Sequence, residues 1–384
     1  MQADEERLKR WRMVLGGGDA DGTGVGLSGD DAAMDAALQA VYEPRRSDGR
    51  RGAGLGESAP RLARWLGDIR AYFPSSVVRV MQKDALERLD LTRLLLEPEL
   101  LDAVEPDVHL VGALLSLNRV MPDTVRRSAR AVVRTVVAEL EDRLAHRLRS
   151  AVTGALDRAA RTHRPRRPAD VDWHRTIRAN LRHHVPRYGT VIPQRLVGFG
   201  RRRQTVEREV VLCVDQSGSM AASVVHAGVM GSVLASMPTL RTSLVVFDTA
   251  VVDLTDRLSD PVEVLFGAQL GGGTDINRAL AYCQGLITRP ADTVVIVISD
   301  LHEGGDRDEM LKRVAAMTAA GVQVIVLLAL SDEGAPAYDH ANAAALAGLG
   351  VPAFACTPDA FPDLMAAALE RRDLTEWSER HLSS

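Results

Sequence analysis

The sequence predicts an α/β fold in which an all-α N-terminal region precedes a C-terminal doubly wound, mostly parallel six-stranded sheet. From about residue 208, short apolar runs alternate with helical segments, as in a parallel sheet that helices cover on both faces. Before residue 160, apolar residues recur at spacings of three and four, the period of amphipathic helices. We therefore expect a helical domain at 1–160, an arginine-rich connector at 161–207 and an α/β domain at 208–384.

The helical region is predicted from two segments with helical apolar spacing. They are SAPRLARWLGDIRAYF, which starts at Ser58, and DTVRRSARAVVRTVVAELEDRLAHRLRSAVTGALDRAARTH, which starts at Asp123. No alternating strand pattern occurs before residue 160, so we expect this region to be all-α. Three tryptophans are expected to anchor the core of this region and its junction: Trp11, Trp65 and Trp173.

Six apolar runs in the C-terminal part predict the strands of the sheet. In chain order they read VVLCVD, TSLVVFD, AVVDLT, TVVIVISD, VQVIVLLAL and VPAFACT. The third run follows the second too closely for a crossover helix, so these two should form an antiparallel hairpin at one edge. With the common strand order 3-2-1-4-5-6, the first and fourth strands are neighbours, and their carboxyl ends open on one crevice.

Polar side chains follow the first and fourth predicted strands at the point where each strand ends. Asp215, Ser217 and Ser219 belong to DQSGS after the first strand, and Asp300 ends the fourth. Thr274 lies in the loop QLGGGTDIN, whose glycines let the backbone approach closely. We therefore expect two carboxylates and three hydroxyls to converge at the crevice.

This set of oxygen donors predicts a site for a divalent cation. Oxygen ligands without histidine or cysteine suit Mg²⁺, with Mn²⁺ or Ca²⁺ as alternatives, and they suit zinc poorly. Mg²⁺ keeps several bound waters, so it needs few protein ligands. The carboxylates balance the charge of the ion, and the helix that starts near Ser219 adds its positive N-terminal end. A carboxylate from outside the chain could then take an open coordination position.

The motifs DQSGS, GGGTD and ISD, in this order, resemble the metal-ion-dependent adhesion site of the von Willebrand factor A (VWA) domain. The resemblance covers the chain from about residue 208. It implies that hydroxyl groups bind the ion at three positions: Ser217, Ser219 and Thr274. It also implies that Asp215 and Asp300 act largely through bound water. The fold implied is a doubly wound, Rossmann-like sheet.

The resemblance extends upstream of the first strand. The stretch DWHRTIRANLRHHVPRYG, followed by VVLCVDQSGSM, is similar to the bacterial CoxE-like, MoxR-associated group of VWA proteins. Members of that group are typically encoded with a MoxR-type AAA+ ATPase, which implies a role as partner of the ATPase or adaptor for its substrate. One departure is Leu301, which stands where many VWA domains have glycine. It changes the loop after the strand but leaves Asp300 in place.

A simpler interpretation of Asp215, Ser217 and Ser219 is a capped helix after a strand, since Asp and Ser are good N-cap residues. This interpretation leaves Thr274 and Asp300 unexplained, because one helix cap does not need polar residues in two further loops. The metal site explains all five positions.

Three further residues are predicted to support the loops of the site: Gly218, Gly273 and Asp275. Catalysis is not expected. A serine hydrolase needs the elbow G-x-S-x-G, which DQSGS does not supply. No G-x-x-x-x-G-K-[ST] loop occurs either, so we do not expect nucleotide hydrolysis. The sequence thus favours a binding module over an enzyme.

The arginine-rich connector leaves a second function open. Between Arg161 and Arg203 there are many arginines and only two acids, Asp170 and Asp172, although the whole chain has a net charge of −4. Such a stretch is either a solvated connector or a surface for an acidic partner or nucleic acid, with the metal site then structural. Because aromatic residues are sparse in this stretch, we favour the solvated connector, and nucleic acid is not an expected partner.

Export and membrane insertion are not expected. The charged start MQADEERLKRWRMVLGGG lacks the apolar core of a signal peptide, and no apolar run reaches about eighteen residues. The cysteines are widely spaced in apolar segments, which favours reduced core thiols over disulfides or a zinc site. They are Cys213, Cys283 and Cys356. We therefore expect a cytoplasmic protein that binds a partner protein through a divalent cation.

Overall fold

The computed structural model describes residues 26–42, 59–88, 95–97, 101, 103–159, 161–162, 171–199, 208–332, 336–374 and 377–378. The chain forms two compact units, Met1–Val136 and Val137–Ser384. The division falls within one long helix, which is described below. The predicted domain boundaries at residues 160 and 207 lie outside the described residues and stay predictions.

The first unit is helical, as the apolar spacing predicts. Its described helices are α1 Asp30–Tyr42, α2 Ala59–Tyr72, α3 Ser75–Arg88, α4 Val108–Ser116 and the start of α5 Asp123–Ala159. Trp65 of α2 is a core residue, as predicted, and its Nε1 donates to the Ala37 carbonyl oxygen at 3.0 Å. Trp11 lies outside the described residues. The part of this unit that the structure describes contains no strand, so the all-α prediction is confirmed.

Residues 171–199, which we call the connector module, have a small fold that the sequence did not predict. Its elements are α6 Trp173–Ala179, β2 His184–Val185, β3 Thr190–Val191 and β4 Gly198–Phe199. Strands β2 and β3 pair with each other, and β4 pairs antiparallel with β1 Arg161–Thr162. The expectation that Trp173 is a core anchor is wrong, because 53% of this side chain is exposed.

Two polar side chains hold the connector module together. The Thr176 hydroxyl donates to the Val197 carbonyl oxygen and accepts from the Val197 N–H, both at 3.0 Å. The Asn180 Oδ1 accepts from the backbone N–H groups of Gln194 and Arg195 at 3.0 and 3.1 Å. Thr176 and Asn180 are buried. The module is therefore fixed by hydrogen bonds rather than by an apolar core.

The second unit contains the predicted six-stranded sheet. Its strands are β5 Arg208–Asp215, β6 Leu240–Phe247, β7 Val251–Asp253, β8 Thr293–Ile298, β9 Gln323–Leu330 and β10 Ala353–Cys356. They are ordered β10-β9-β8-β5-β6-β7, and all pairs are parallel except β6 with β7. The predicted strand order and the antiparallel edge hairpin are confirmed. Strand β5 is central, and helices on both faces explain its continuous apolar run.

Helices follow the strands and cover the sheet. They are α7 Ala221–Ala235, α8 Pro261–Gly267, α9 Ile276–Leu286, α10 Arg307–Ala319, α11 His340–Gly348 and α12 Phe361–Leu369. One core cluster joins Ile276 of α9, Met310 of α10 and Leu346 of α11 to alternate strand residues such as Val211. This alternation is that of a strand with successive side chains on opposite faces. The cysteines are free and buried, as predicted: Cys213, Cys283 and Cys356.

The expectation that no apolar run reaches about eighteen residues is wrong: among the described residues, one helical segment, Gly218–Ala235, is long and apolar enough to cross a membrane by length and composition. It contains α7, and 72% of the segment is buried inside the protein. Helix α7 packs on β5, β6 and β9, and its residues from Ser223 to Leu234 are all buried. Packing against the sheet therefore accounts for the apolar composition of this helix.

Charge pairs attach the C-terminal part of α5 to the rest of the second unit. Arg143 Nη2 lies 2.7 Å from Asp359 Oδ2, and Arg147 Nη1 lies 3.4 Å from Asp359 Oδ1. The hydrogen bond and the charge of Arg143 lower the pKa of Asp359 from its ordinary value. These side chains are roughly half exposed, and such pairs contribute about 0.2–1 kcal/mol each. They orient the helix more than they stabilise it.

Glu209 is a buried acid near the amino end of β5. Its carboxylate accepts from the Thr288 N–H at 3.0 Å, the Arg289 N–H at 3.1 Å and the Thr293 hydroxyl at 2.9 Å. The Thr288 hydroxyl also donates to it. Burial disfavours the charged form, but the hydrogen bonds from Thr288, Arg289 and Thr293 outweigh it and lower the pKa of Glu209 to about 2. Glu209 thus ties the loop before β8 to β5.

We expect Glu209→Gln to lower the free energy of unfolding at pH 7 by about 2 kcal/mol, because hydrogen bonds to a charged group are lost. A carboxyl group with a depressed folded-state pKa stabilises the fold above its unfolded-state pKa, and this contribution disappears as the pH falls through the folded-state pKa. The wild type should therefore lose stability between pH 4.5 and about 2, and the variant should lose less. Urea unfolding at several pH values measures both effects, with the exposed Asp256→Asn as control. Equal pH slopes in the wild type and Glu209→Gln would contradict the prediction.

Candidate metal site

The carboxyl ends of β5 and β8 meet at one edge of the sheet. The strands pair in parallel, with Val214 opposite Ile298. Asp215 is the last residue of β5, and Asp300 lies just beyond β8. A 3-10 turn, Gly218–Met220, leads from β5 into α7. This arrangement places DQSGS and ISD side by side.

A row of hydrogen-bonded oxygens joins three of the predicted ligands. Ser217 Oγ lies 3.2 Å from Ser219 Oγ, and the Ser219 hydroxyl donates to Asp300 Oδ2 at 2.8 Å. Asp300 is buried, Ser217 is half-buried and Ser219 is exposed. The row therefore reaches the surface, where a cation from solvent has access to it.

Asp215 lies behind this row with both carboxylate oxygens already engaged. Its Oδ1 accepts from the Ser217 N–H at 2.9 Å, and its Oδ2 accepts from the Ser299 hydroxyl at 2.8 Å. The residue is fully buried. Burial raises the pKa of Asp215, and the negative charge of Asp300 adds to this effect. A cation at the site would offset both causes.

The structure brings Thr274 to the site through backbone contacts. The Gly304 N–H donates to the Thr274 carbonyl oxygen at 2.8 Å, so the loop after Asp300 rests on the Thr274 loop. The Gly271 N–H donates to the Gln216 carbonyl oxygen at 3.0 Å, which ties the same loop to DQSGS. Among the described residues, the Thr274 hydroxyl makes no hydrogen bond to another predicted ligand. The Thr274 loop therefore contacts the other two motifs through backbone groups, whereas DQSGS and ISD contact each other through side chains.

The glycines before Thr274 are required by the shape of this loop. Gly271 and Gly272 have φ values of +110° and +115°, which side-chain-bearing residues rarely adopt. A Cβ atom on Gly272 would also lie 3.1 Å from Asp248 Oδ2. Asp248 in turn accepts two hydrogen bonds. The Ala250 N–H donates to its side chain, and the Asp275 N–H donates to its backbone carbonyl oxygen. Close approach of this loop to the end of β6 thus fixes the position of Thr274.

A second loop, Glu303 to Gly305, supports the site, and its residues are not among the predicted site residues. Glu303 Oε2 accepts from the N–H of Ile276 at 2.7 Å, in the first turn of α9. Burial raises the pKa of Glu303. A Cβ atom on Gly304 would lie 2.7 Å from the Thr274 carbonyl oxygen, so a side chain there would push the loops apart. The only signal in the sequence is the acid followed by paired glycines directly after the strand-end motif.

Two other contributors lie inside the motifs themselves and were not predicted as site residues. The Ser299 hydroxyl, described above, orients Asp215 from the neighbouring strand end. The Gln216 Oε1 accepts from the Gln269 N–H at 2.8 Å and anchors the start of the glycine loop. Both residues are buried polar groups at the end of apolar strands, and that position is the signal that could have identified them.

The residues predicted to support the loops differ in what they contact. Asp275 caps α9 by accepting from the Arg278 N–H at 2.8 Å. A Cβ atom on Gly273 would lie 3.2 Å from Thr249 Cγ2, a tight contact. A Cβ atom on Gly218 would meet nothing within 4 Å, so available space gives no reason for glycine there.

Leu301 follows Asp300 in a conformation that favours glycine. Its φ is +64°, and its side chain is 1% exposed within the core of the sheet. The Leu301 N–H donates to Ser299 Oγ at 3.1 Å, and its carbonyl oxygen accepts from Asn342 Nδ2 at 2.9 Å. The backbone shape that suits glycine is therefore retained, and leucine adds a buried side chain at the cost of strain.

We expect Leu301→Ala to be less stable than Leu301→Gly. Both changes remove a buried side chain, which costs about 2–5 kcal/mol. Only alanine keeps a Cβ atom at positive φ, which costs about 1–2 kcal/mol relative to glycine. Urea unfolding of the two variants measures the difference directly. At an ordinary φ, a protein with glycine is less stable than one with alanine by about 0.5–1 kcal/mol. If Leu301→Gly is the less stable variant, the proposed strain at this position is wrong.

The residues at this edge fit a hydrated, oxygen-bound cation. Within the described part of the chain, no group of three or more His, Cys, Asp or Glu side chains is arranged to hold a metal ion. Hydroxyl and carboxylate oxygens with room for water suit Mg²⁺, which keeps much of its hydration shell. Zinc prefers nitrogen and sulfur ligands, and the site provides neither.

The sheet is doubly wound and has an antiparallel edge strand, and the motifs DQSGS, GGGTD and ISD lie together at the carboxyl ends of its strands. These features define a VWA-type domain, a class of protein-interaction module. The family model described as "VWA domain containing CoxE-like protein" matches residues 144–365. The chain belongs to this CoxE-like family. It is 37% identical over 367 residues to "Uncharacterized protein YehP" of Escherichia coli (strain K12), with 94% of this chain and 97% of YehP covered.

Solved structures resemble the chain more distantly. The manganese-loaded TRAP protein of Plasmodium vivax is 15% identical with a TM-score of 0.34, over 43% of this chain and 74% of that protein. The RO (RSR) protein of Deinococcus radiodurans is 15% identical with a TM-score of 0.32, over 96% and 92% of the two chains. At these values neither likeness carries a ligand or a residue role to this chain.

Proposed function

We propose that the chain is a metal-dependent protein-binding module without catalytic activity. A divalent cation, Mg²⁺ by preference over Mn²⁺ or Ca²⁺, binds at the carboxyl ends of β5 and β8. Through an exchangeable coordination position it engages an aspartate or glutamate of a partner protein. The observation that carries this proposal is the row of oxygens formed by Ser217, Ser219 and Asp300.

The contacts of the predicted ligands support two kinds of role. The hydroxyls of Ser217, Ser219 and Thr274 would bind the ion directly, since the two serine hydroxyls face each other near the surface. Asp215 suits an indirect role, because protein donors already occupy both of its oxygens. Among the described residues, Asp300 Oδ1 has only a long contact, 3.4 Å, with the His302 N–H, which leaves this oxygen for a bound water.

The surroundings of the serines support the absence of catalysis. A serine nucleophile needs an adjacent base that takes its proton. The Ser217 and Ser219 hydroxyls contact each other and Asp300, and no histidine hydrogen-bonds to them among the described residues. These hydroxyls are arranged as ligands rather than as nucleophiles.

The partner we propose is a MoxR-type AAA+ ATPase, a substrate of that ATPase, or both, in the cytoplasm. Membership of the CoxE-like family supports this choice. The resemblance to the MoxR-associated group implies that such proteins are encoded with an ATPase of this type. A partner carboxylate that binds the cation would make the contact specific for that partner. A protein without a carboxylate at that position would leave the desolvated cation without a ligand.

Calorimetric titration of the full chain with Mg²⁺, Mn²⁺ and Ca²⁺, after removal of bound metal by chelation, tests the proposal. We expect saturable binding with the strongest response for Mg²⁺ or Mn²⁺. Zn²⁺ serves as the control ion, because the oxygen donors suit it poorly. No saturable heat with any of the first three ions would contradict a cation site.

A further inference from the structure

Helix α6 of the connector module is followed by its C-cap Asn180 and by a 3-10 turn, Leu181–His183. Together these segments bury polar side chains and expose apolar ones. Thr176 and Asn180 are 1% and 2% exposed, four residues apart on one face. Trp173 and Ile177 of α6 are 53% and 47% exposed, and Leu181 of the turn is 59% exposed. A helix that packs on a globular core shows the opposite arrangement.

The hydrogen bonds of the polar face prevent the helix from turning its apolar face inward. Asn180 Nδ2 donates to the carbonyl oxygens of Thr176 and Arg195, at 2.6 and 2.7 Å. Together with the bonds to Gln194 and Val197, this uses the polar groups of both buried side chains. Rotation of α6 would leave these groups unpaired at about 1–3 kcal/mol each. The apolar face is therefore held toward the outside.

A fourth exposed apolar residue lies at the end of the hairpin, beside the turn that follows α6. The Ile192 N–H donates to the His183 carbonyl oxygen at 3.3 Å, which places Ile192 beside the turn that follows α6. Ile192 is 57% exposed. We call the four residues the apolar patch: Trp173, Ile177, Leu181 and Ile192. A contiguous exposed apolar patch with a polar rim marks an interaction surface.

The rim of the apolar patch is strongly positive. The connector module contains one acid, Asp172, and its arginines are Arg175, Arg178, Arg182, Arg187 and Arg195. The carboxylate of Asp172 is already used, since it accepts from the Arg175 N–H at 3.1 Å and lies 3.6 Å from the Arg175 guanidinium. Such a rim attracts acidic groups. Tryptophan and arginine are also the residues most enriched where proteins bind each other.

We propose that the apolar patch binds an acidic segment of a partner protein, whose apolar side chains cover Trp173 and Ile177 while its carboxylates face the arginine rim. The composition of the patch favours protein over nucleic acid. Bases stack on aromatic rings, and of the four patch residues only Trp173 has one. The aliphatic residues Ile177, Leu181 and Ile192 instead suit apolar side chains. This surface lies in a different part of the chain from the metal site, so it is a second contact.

Fluorescence anisotropy of a labelled synthetic peptide, with leucine and phenylalanine spaced among glutamates, tests the proposal on the full chain. A matched peptide with serine at the apolar positions is the ligand control. We expect the first peptide to bind about tenfold more tightly than the second, and Ile177→Ser with Leu181→Ser to remove that difference. Arg178→Gln with Arg182→Gln should weaken binding of both peptides and reduce its dependence on salt. Val120→Ser, at an exposed valine outside the module, should change nothing.

Other ligands and conditions decide between this surface and its alternatives. Peptide binding should survive EDTA and Asp215→Ala; loss under either condition would place the peptide at the metal site and overturn the proposal. The same variants are assayed with single-stranded DNA and with phosphatidylserine vesicles. The proposal of a protein partner is wrong if the DNA or the vesicles bind in a way that requires Ile177 and Leu181 while the peptide does not bind. Equal peptide affinity in the wild type and the Ile177→Ser, Leu181→Ser variant would overturn it as well.

Discussion

Replacing both Ser217 and Ser219 by alanine is expected to abolish divalent-cation binding and to leave the fold largely intact. The two hydroxyls provide the row of oxygens that ends at Asp300. Ser219 is exposed and Ser217 half-buried, so their loss removes little packing. Calorimetry with Mg²⁺ and Mn²⁺ measures the affinity, and thermal unfolding monitored by circular dichroism measures the fold.

Ser236→Ala is the matched control for this variant. Ser236 ends the same helix, α7, and its hydroxyl donates locally to the Val233 carbonyl oxygen. We expect it to bind metal as the wild type does. Asp215→Ala should also abolish binding, but it leaves the Ser217 N–H and the Ser299 hydroxyl without an acceptor and is the less clean test. Wild-type affinity in the double serine variant would exclude the assigned site.

Binding to the partner is expected to require both the cation and one particular carboxylate on the partner. Loss of a desolvated charge contact costs about 2–5 kcal/mol, which corresponds to a roughly 30-fold to several-thousand-fold loss of affinity. EDTA should therefore release a MoxR-type AAA+ ATPase captured on the full chain, and Mg²⁺ should restore the complex. Thr274→Ala should weaken it to the same degree, because this change removes a proposed hydroxyl ligand of the cation and keeps the backbone contacts of the loop.

Substitution of single Asp and Glu residues on the partner identifies the carboxylate, and replacement of its exposed Asn and Gln residues serves as control. Binding that persists in EDTA and in Asp215→Ala would contradict contact through the metal. It would assign the partner to another surface, such as the connector module, and leave the cation a structural role. The Ile177→Ser, Leu181→Ser variant separates the two contacts in the same assay.

The α/β domain was predictable because its signals are strong and local. Runs such as VVLCV and VVIVI contain no charged or hydroxyl side chain, as expected for strands buried on both faces. The short interval between the second and third runs fixed the edge hairpin, and the hairpin in turn made the strand order predictable. Asp215 and Asp300 then had to meet, since neighbouring parallel strands end on the same side of a sheet.

The connector module and the supports of the site depend on contacts that leave no periodic signal. Thr176 and Asn180 hold α6 by hydrogen bonds to backbone groups 14 to 21 residues away, and the apolar spacing of that helix marks its exposed face. Ser299 reaches Asp215 across 84 positions, and Glu303 caps a helix 27 positions before it. Such partners are found only when the chain is folded.

The backbone bonds between the Thr274 loop, the Glu303 to Gly305 loop and DQSGS have a thermodynamic consequence. A ligand that enters this edge meets loops that folding has already ordered, so little chain entropy remains to be lost on binding. The unfolded chain holds no such arrangement. Every ligand bound here therefore stabilises the native state by RT ln(1 + [L]/Kd), and the unfolding midpoint of the protein should report the occupancy of the site.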